Sequence, residues 1–230
     1  MLKLLTIQAD LTTELDTLAA EPGGISTKFI DLAFKGGWIM IPIILLSIIA
    51  VYIFFDRYLA IKKAGKFDTG LLEKIKVYIT SGKIDEALML CQGSSNPASR
   101  MLEKGISRIG RPLTDVNAAI ENVGNLEISK LEKGLPVLAS VAGGAPMLGF
   151  LGTVMGMIQA FYDMANAGNN IDVTLLSTGI YQAMVTTVAG LIVGIIAYFA
   201  YNILVTNVEK VVFKMEATTS EFMDLLNEPA

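Results

Sequence analysis

Apolar residues in this chain gather into three windows, residues 38 to 55, 135 to 161 and 176 to 206, and none of the three contains Asp, Glu, Lys or Arg. Each is near or above the roughly 20 apolar residues that carry a helix across a bilayer core. The pattern predicts three spanning helices. The first window lies between Gly36-Gly37 and Asp56-Arg57, with Trp38 at one end and Tyr52 and Tyr58 at the other. Aromatic rings of this kind favour the headgroup boundary, and Pro42 falls in the first turn, where a missing amide costs little.

Between the first and second windows the pattern changes to amphipathic helix, broken at Ser81-Gly82, at Gly93-Ser94-Ser95-Asn96-Pro97 and at Gly110-Arg111-Pro112. Three or four helices are expected over residues 56 to 134. Leu113, Val116, Ile120 and Val123 recur at three- and four-residue spacing, and the pattern continues past Leu131 into the second window without a strong stop. Beyond the third window, Val208, Val211, Val212, Met215, Phe222 and Leu225 continue the same spacing, so the tail of residues 207 to 230 reads as an extension of the third helix. The expected fold class is an all-α integral membrane protein with the second and third spanning helices extended into a helical domain outside the bilayer.

Charge orients this arrangement. Residues 56 to 134 hold thirteen of the eighteen Lys and Arg residues, residues 1 to 37 hold three, and residues 162 to 175 hold none. Lys and Arg concentrate on the cytoplasmic side of membrane proteins. The helical domain and the tail, with Lys210 and Lys214 near the membrane, are therefore expected in the cytoplasm, and residues 1 to 37 and 162 to 175 on the outer side. The apolar run after Lys3 is too short for a secretory signal, so residues 1 to 37 read as part of the mature protein.

Composition narrows the chemistry. The chain has no His and one cysteine, Cys91, which removes the commonest metal ligand and general base and any internal disulfide. No cofactor is expected. A Ser-His pair is impossible, a Ser-Lys pair would need a lysine at membrane depth, and the glycine that a phosphate-binding loop requires five residues before Gly82 is Val77. An enzyme is not expected. A net charge of -4 without a basic run argues against nucleic acid.

What the second and third windows do carry is small residues. Ala142, Ala145, Gly149, Gly152, Thr153, Gly156 and Ala160 form one face of the second, and Ala183, Thr187, Gly190, Gly194 and Ala197 one face of the third. Lipid gives helices little reason to hide apolar surface from each other, so close approach through small residues drives their association. Plain packing accounts for such faces. Beside the second of them runs a polar line of Gln182, Thr186, Tyr198, Tyr201 and Asn202. Two glycine-rich faces, each with a threonine at membrane depth, also suit a narrow polar pathway. Such a pathway ordinarily needs an ionisable group at depth. None exists in these windows, so either the protein conducts nothing or a partner brings the carboxylate.

The stretch Ala145-Pro146-Met147-Leu148-Gly149-Phe150-Leu151-Gly152-Thr153-Val154-Met155-Gly156 resembles the second-span signature of the MotA/TolQ/ExbB proton channel family. Gln182-Ala183-Met184-Val185-Thr186-Thr187-Val188-Ala189-Gly190-Leu191, followed by Tyr201-Asn202, resembles the third. The three-span pattern places the chain nearest the ExbB and TolQ branches, and the outward extension of about 37 residues with Asp10, Glu14, Asp16, Glu21 and Asp31 looks more like ExbB. The resemblance implies a homopentamer in a bacterial inner membrane around a one-span partner similar to ExbD or TolR. The partner carries the protonatable Asp, and proton flow does mechanical work on a TonB-like protein. Thr153 and Thr187 match the family's pore-lining threonines. Thr186, Gln182, Pro146, Gly149, Gly152, Gly156 and Gly190 are weaker candidates for pore or packing. Gln182 stands where many members have Glu, and Ile195-Ile196 replaces a common Ile-Pro, so no proline kink is expected in the third span. A TolQ-like stator of the Tol-Pal envelope system, a non-conducting scaffold and a stand-alone channel stay open as alternatives.

Overall fold

A computed structural model describes residues 36–66, 69–94, 96–166 and 173–227, and all regular structure among them is helical. Seven helices follow one another: α1 Met40–Ala64, α2 Thr69–Thr80, α3 Ile84–Gln92, α4 Pro97–Ile106, α5 Leu113–Glu132, α6 Leu135–Asn166 and α7 Val173–Asn227. Three of them, α1, α6 and α7, contain stretches long and apolar enough to cross a membrane. They coincide with the three charge-free windows. The expectations for residues 1 to 35, and for the centre of the 162 to 175 connection, fall outside the described residues.

The structure divides into two compact units. The first comprises the described residues up to Leu45 together with Ala145–Val193. Here Ile39, Met40 and Ile43 of the α1 start are buried against Leu148 of α6 and Ala189 and Val193 of α7. The outward side chains of these helices stay apolar: Met147 is 74% exposed and Phe150 67%. A contiguous apolar surface of that kind is untenable in water and ordinary in lipid or against another subunit.

The second unit comprises Leu46–Gly144 and the described residues from Gly194 onward. Four helices, α2 to α5, occupy the segment between the first two windows, with breaks at residues 81–83, 93–96 and 107–112 where the turn residues predict them. Ile75, Leu102, Ile106, Ile120 and Phe222 form its core, each fully or almost fully buried. The α7 tail is part of that core: a Cβ on Gly105 would lie 2.7 Å from Ile120 and 2.8 Å from Phe222, so only glycine lets α4 approach both. The expected tail face is seen in the burial of Val208, Val211, Met215 and Phe222. Asn96 caps α4 by accepting from the Ala98 amide at 3.2 Å, and its side-chain amide donates to the Lys66 carbonyl at 2.7 Å, fixing the end of α1 to the start of α4.

The helix ends correct one expectation. The third window does run unbroken into the tail as α7, with no interruption at Ile195-Ile196. The second is not continuous with α5: Lys133 leaves the helical region at ψ 125° and Gly134 takes φ +88°, a conformation that side chains with a Cβ resist. The hydrophobic spacing passes through this break without changing, which is why periodicity does not reveal it.

Among the described residues of the second unit, one charged group is buried. Glu127, 4% exposed, accepts two bonds from Arg100 at 2.8 and 3.0 Å and one from Lys130 at 2.7 Å. Burial pushes its carboxyl up, but these hydrogen bonds and the charges behind them outweigh burial and hold it below its usual value of 4.5. The unfolded state therefore binds the proton more readily, and the stabilisation is present above pH 4.5 and lost as pH falls through the lower folded value. Arg100 and Lys130 are 44% and 54% exposed, so Glu127→Gln is expected to cost about 1.5–2 kcal/mol, the lower part of the range for hydrogen bonds to charged groups. Thermal unfolding followed by circular dichroism at pH 7 and at pH 3.5 checks this, since the difference between wild type and variant should shrink at the lower pH. Burial and the nearby Glu103 push the Cys91 thiol up to about 11, so native protein at pH 7.5 should react with maleimide only after denaturation.

Candidate functional site

The candidate residues lie in the first unit, where α6 and α7 meet along their small-residue faces. Contact there is backbone to backbone. A Cβ on Gly190 would lie 2.5 Å from the Ala145 carbonyl oxygen and 2.9 Å from the Gly149 Cα, and one on Gly149 would lie 3.0 Å from the Thr186 carbonyl oxygen and 3.1 Å from the Thr187 Cα. Further along the seam, Gly156 meets Ala183 and Gly179 meets Ala160. Ala145, Ala160 and Ala183 are each 3% exposed or less. Gly179, which the second-window and third-window faces do not include, extends the seam by one more turn. Pro146 sits inside α6 without ending it. Its absent amide leaves the Ala142 carbonyl without its usual helical donor, a loss that helices in membranes tolerate.

The two adjacent threonines of α7 divide the work differently from the face that the spacing predicts. Thr186 is the one fully buried in the seam, packed on Gly152, with its hydroxyl donating to the Ala183 carbonyl at 2.7 Å. Such a back-bond satisfies a buried hydroxyl locally. Thr187 is only half-buried and reaches across the seam, donating to the Gly149 carbonyl of α6 at 2.9 Å. Thr153, also half-buried, forms a hydroxyl–hydroxyl hydrogen bond with Thr187. The remainder of the expected polar line separates: Tyr198 is 58% exposed and Asn202 bonds back to the Tyr198 carbonyl at 2.8 Å.

Thr153 also lies 3.3 Å from the Gly149 carbonyl, so the two hydroxyls share that acceptor and either can donate the bond between them. In both arrangements Thr153 keeps a lone pair free to accept from a further group. Rotating a hydroxyl away from these partners offers a donor in its place, at the cost of a bond. The pair can thus face either an acid, as acceptor, or its conjugate base, as donor. It needs no proton of its own to change hands. No group of three or more His, Cys, Asp or Glu that could hold a metal occurs among the described residues.

At the Gly36-Gly37 end of α1 a cavity of about 190 Å³ opens beside the seam, lined in part by Gly152, Gly156, Gln159, Gln182 and Thr186. Gln182 lies directly against Gly37. The cavity gathers four of the weaker candidates around two neutral amides, which can donate and accept but cannot ionise.

Residues 94–217 match the model of the MotA/TolQ/ExbB proton channel family. Among curated proteins, the chain is 27% identical to a biopolymer transport protein ExbB homolog of Methanothermobacter thermautotrophicus, over 81% of this chain and 66% of that relative, just under two thirds of its length. It is 28% identical to a biopolymer transport protein ExbB-like 1 of Synechocystis sp., over 78% of this chain and 71% of the relative. It is also 27% identical to the Tol-Pal system protein TolQ of Pseudomonas aeruginosa, over 82% of this chain and 86% of the relative.

Because Gly190 faces main-chain atoms that cannot swing aside, Gly190→Ala is expected to destabilise the α6–α7 seam by about 1–3 kcal/mol through overpacking. Gly143→Ala, where a Cβ meets nothing within 4 Å, should leave stability within about 0.5 kcal/mol or raise it. Thermal-shift measurements on the two purified variants in detergent compare them directly; equal melting temperatures would show that the seam is not glycine-dependent.

Proposed function

Since the chain belongs to the MotA/TolQ/ExbB proton channel family, we propose that it is the pore-lining subunit of a proton-driven stator of the ExbB kind. In this reading several copies surround the single spanning helix of an ExbD-like partner, whose Asp is the protonatable group. Proton flow toward the cytoplasm drives that helix against the ring and so does mechanical work on a TonB-like protein of the periplasm. The family is one of transport and channel proteins, and nothing in the seam requires bond-breaking chemistry.

The observation that carries the reading is the Thr153–Thr187 hydroxyl pair. It is a neutral, half-buried polar feature in two apolar windows that hold no Asp, Glu, Lys or Arg. An aspartate at membrane depth is costly unless something solvates it. A hydroxyl pair able to donate to the carboxylate and accept from the carboxylic acid serves both states, so the energetic gap between them narrows without either being trapped. Gln182 contributes no charge where many relatives have Glu, consistent with the partner supplying the ionisable group.

A second reading is a TolQ-like stator of the Tol-Pal system, favoured by the alignment over 86% of the Pseudomonas TolQ length. The chemistry of the seam is the same in both; the partner differs. Co-purification from cells expressing both an ExbD-like and a TolR-like partner separates them by which is retained.

The mechanism is tested with Thr153→Val and Thr187→Val, which keep shape and lose the hydroxyl, beside the Ser variants, which keep it. In proteoliposomes holding the purified complex with its partner, the Val variants should assemble normally and lose proton uptake at least about tenfold, which corresponds to about 1.4 kcal/mol of barrier, while the Ser variants retain most of it. Wild-type uptake in the double Val variant would take the hydroxyl pair out of the pathway, and no uptake by the wild-type complex itself would return the chain to the scaffold reading.

A further inference from the structure

In the second unit, the end of α1 and the middle of α7 enclose a cavity of about 300 Å³. Lys62 and Lys66 enter it from one side, Lys210 and Lys214 from the other. Lys210 and Lys214, four residues apart, share one face of α7; Lys62 stands in the last turn of α1 and Lys66 two residues beyond its end. None of the residues lining the cavity is acidic, and among the described residues no ion pair of these four lysines is seen. Among the described residues, the carboxylates beside these lysines in sequence, Glu209 and Glu216, do not line the cavity, and Glu209 lines a separate one with Glu132. Ile61 and Val211 supply an apolar wall, and Tyr58 lies one turn from Lys62, whose ammonium is 5.9 Å from its ring centre.

Two ordinary explanations reach only part of this. Lysines at the C-terminal end of α1 complement the helix dipole, which accounts for Lys62 but not for Lys210 and Lys214, well inside α7. The bias of Lys and Arg toward the cytoplasmic side accounts for lysines near the membrane, but not for their convergence on one cavity. Like charges gathered without a counter-ion repel each other. They persist at low cost where an anion is at hand.

Position says which anion. The first charge-free window ends at residue 55 and the third at residue 206. The cavity begins within one turn of both ends, at Tyr58 and Asn207. That is headgroup depth, where phosphates are concentrated. Basic pockets between helices at this depth hold anionic headgroups. We propose that this cavity binds the phosphate of an anionic phospholipid headgroup, the four lysines on the phosphate and Ile61, Val211 and Tyr58 against the start of the lipid tails, in the leaflet that the Lys and Arg distribution predicts to be cytoplasmic.

The full chain, reconstituted in nanodiscs of equal phosphatidylglycerol and phosphatidylcholine and released for native mass spectrometry, should retain phosphatidylglycerol in excess. In K62Q/K66Q/K210Q/K214Q that excess should fall at least about tenfold, and in the corresponding four-arginine variant it should persist. If the four-glutamine variant does not fold by circular dichroism, K210Q/K214Q alone should reduce the excess about threefold. A variant with Lys63, Lys74, Lys83 and Lys104 changed to Gln alters net charge equally and should keep the excess. Retention in the four-glutamine variant, or equal loss in this control, overturns the proposal. So does displacement of the lipid by millimolar inorganic phosphate, which would assign the cavity to a soluble phosphate.

Discussion

Everything distinctive about the membrane part of this protein depends on how close the α6 and α7 backbones come at Gly149 and Gly190. Lipid tails are as apolar as leucine, so two spanning helices do not associate to escape solvent. They associate because, with no side chain in the way, many main-chain atoms reach van der Waals distance at once. The same closeness decides what a threonine can do there. Only when the Gly149 carbonyl lies against Thr187 can that hydroxyl bond across the seam instead of back to its own helix. Thr186, one position away and pointed into the seam, has room for nothing but the back-bond. The polar pair and the packing seam are one feature.

The second unit is built on different terms. Its core is conventional, with Ile75, Leu102, Ile120 and Phe222 withdrawn from solvent, and its one buried carboxylate is held by two cations. Hydrophobic burial, absent as a force within the bilayer, returns where α7 leaves the apolar window. A single helix of 55 residues therefore obeys two sets of rules along its length. Its sequence changes accordingly, from glycine and alanine spaced for contact to valine, methionine and phenylalanine spaced for burial.

Much of this was legible from the residues. Three charge-free windows gave the three spanning helices, and Gly, Pro and Asn clusters gave the breaks between α2, α3, α4 and α5. The small-residue faces gave the seam. What escaped was whatever depends on a distant partner. Adjacent positions on a helix differ by about 100°, so whether Thr186 or Thr187 faces the seam is decided by where Gly149 and Gly152 stand on the other helix. The Gly134 break left the hydrophobic spacing undisturbed, and its marks are Gly134 and Pro136, which act on backbone angles and not on periodicity. Lys62 and Lys210 are far apart in sequence, and only the fold brings them to one cavity.

The hydroxyl pair has an electrical consequence. A membrane voltage does work only on charge that moves through it, about 2.3 kcal/mol per elementary charge per 100 mV. The three apolar windows of this chain hold no Asp, Glu, Lys or Arg, and a threonine neither gains nor loses a proton in the physiological range. Within these windows no side chain gives the field a full charge to pull on. In the proposed stator the windows would act as an insulating sleeve, and the force of the potential would fall on the charged helix or ion that the ring surrounds.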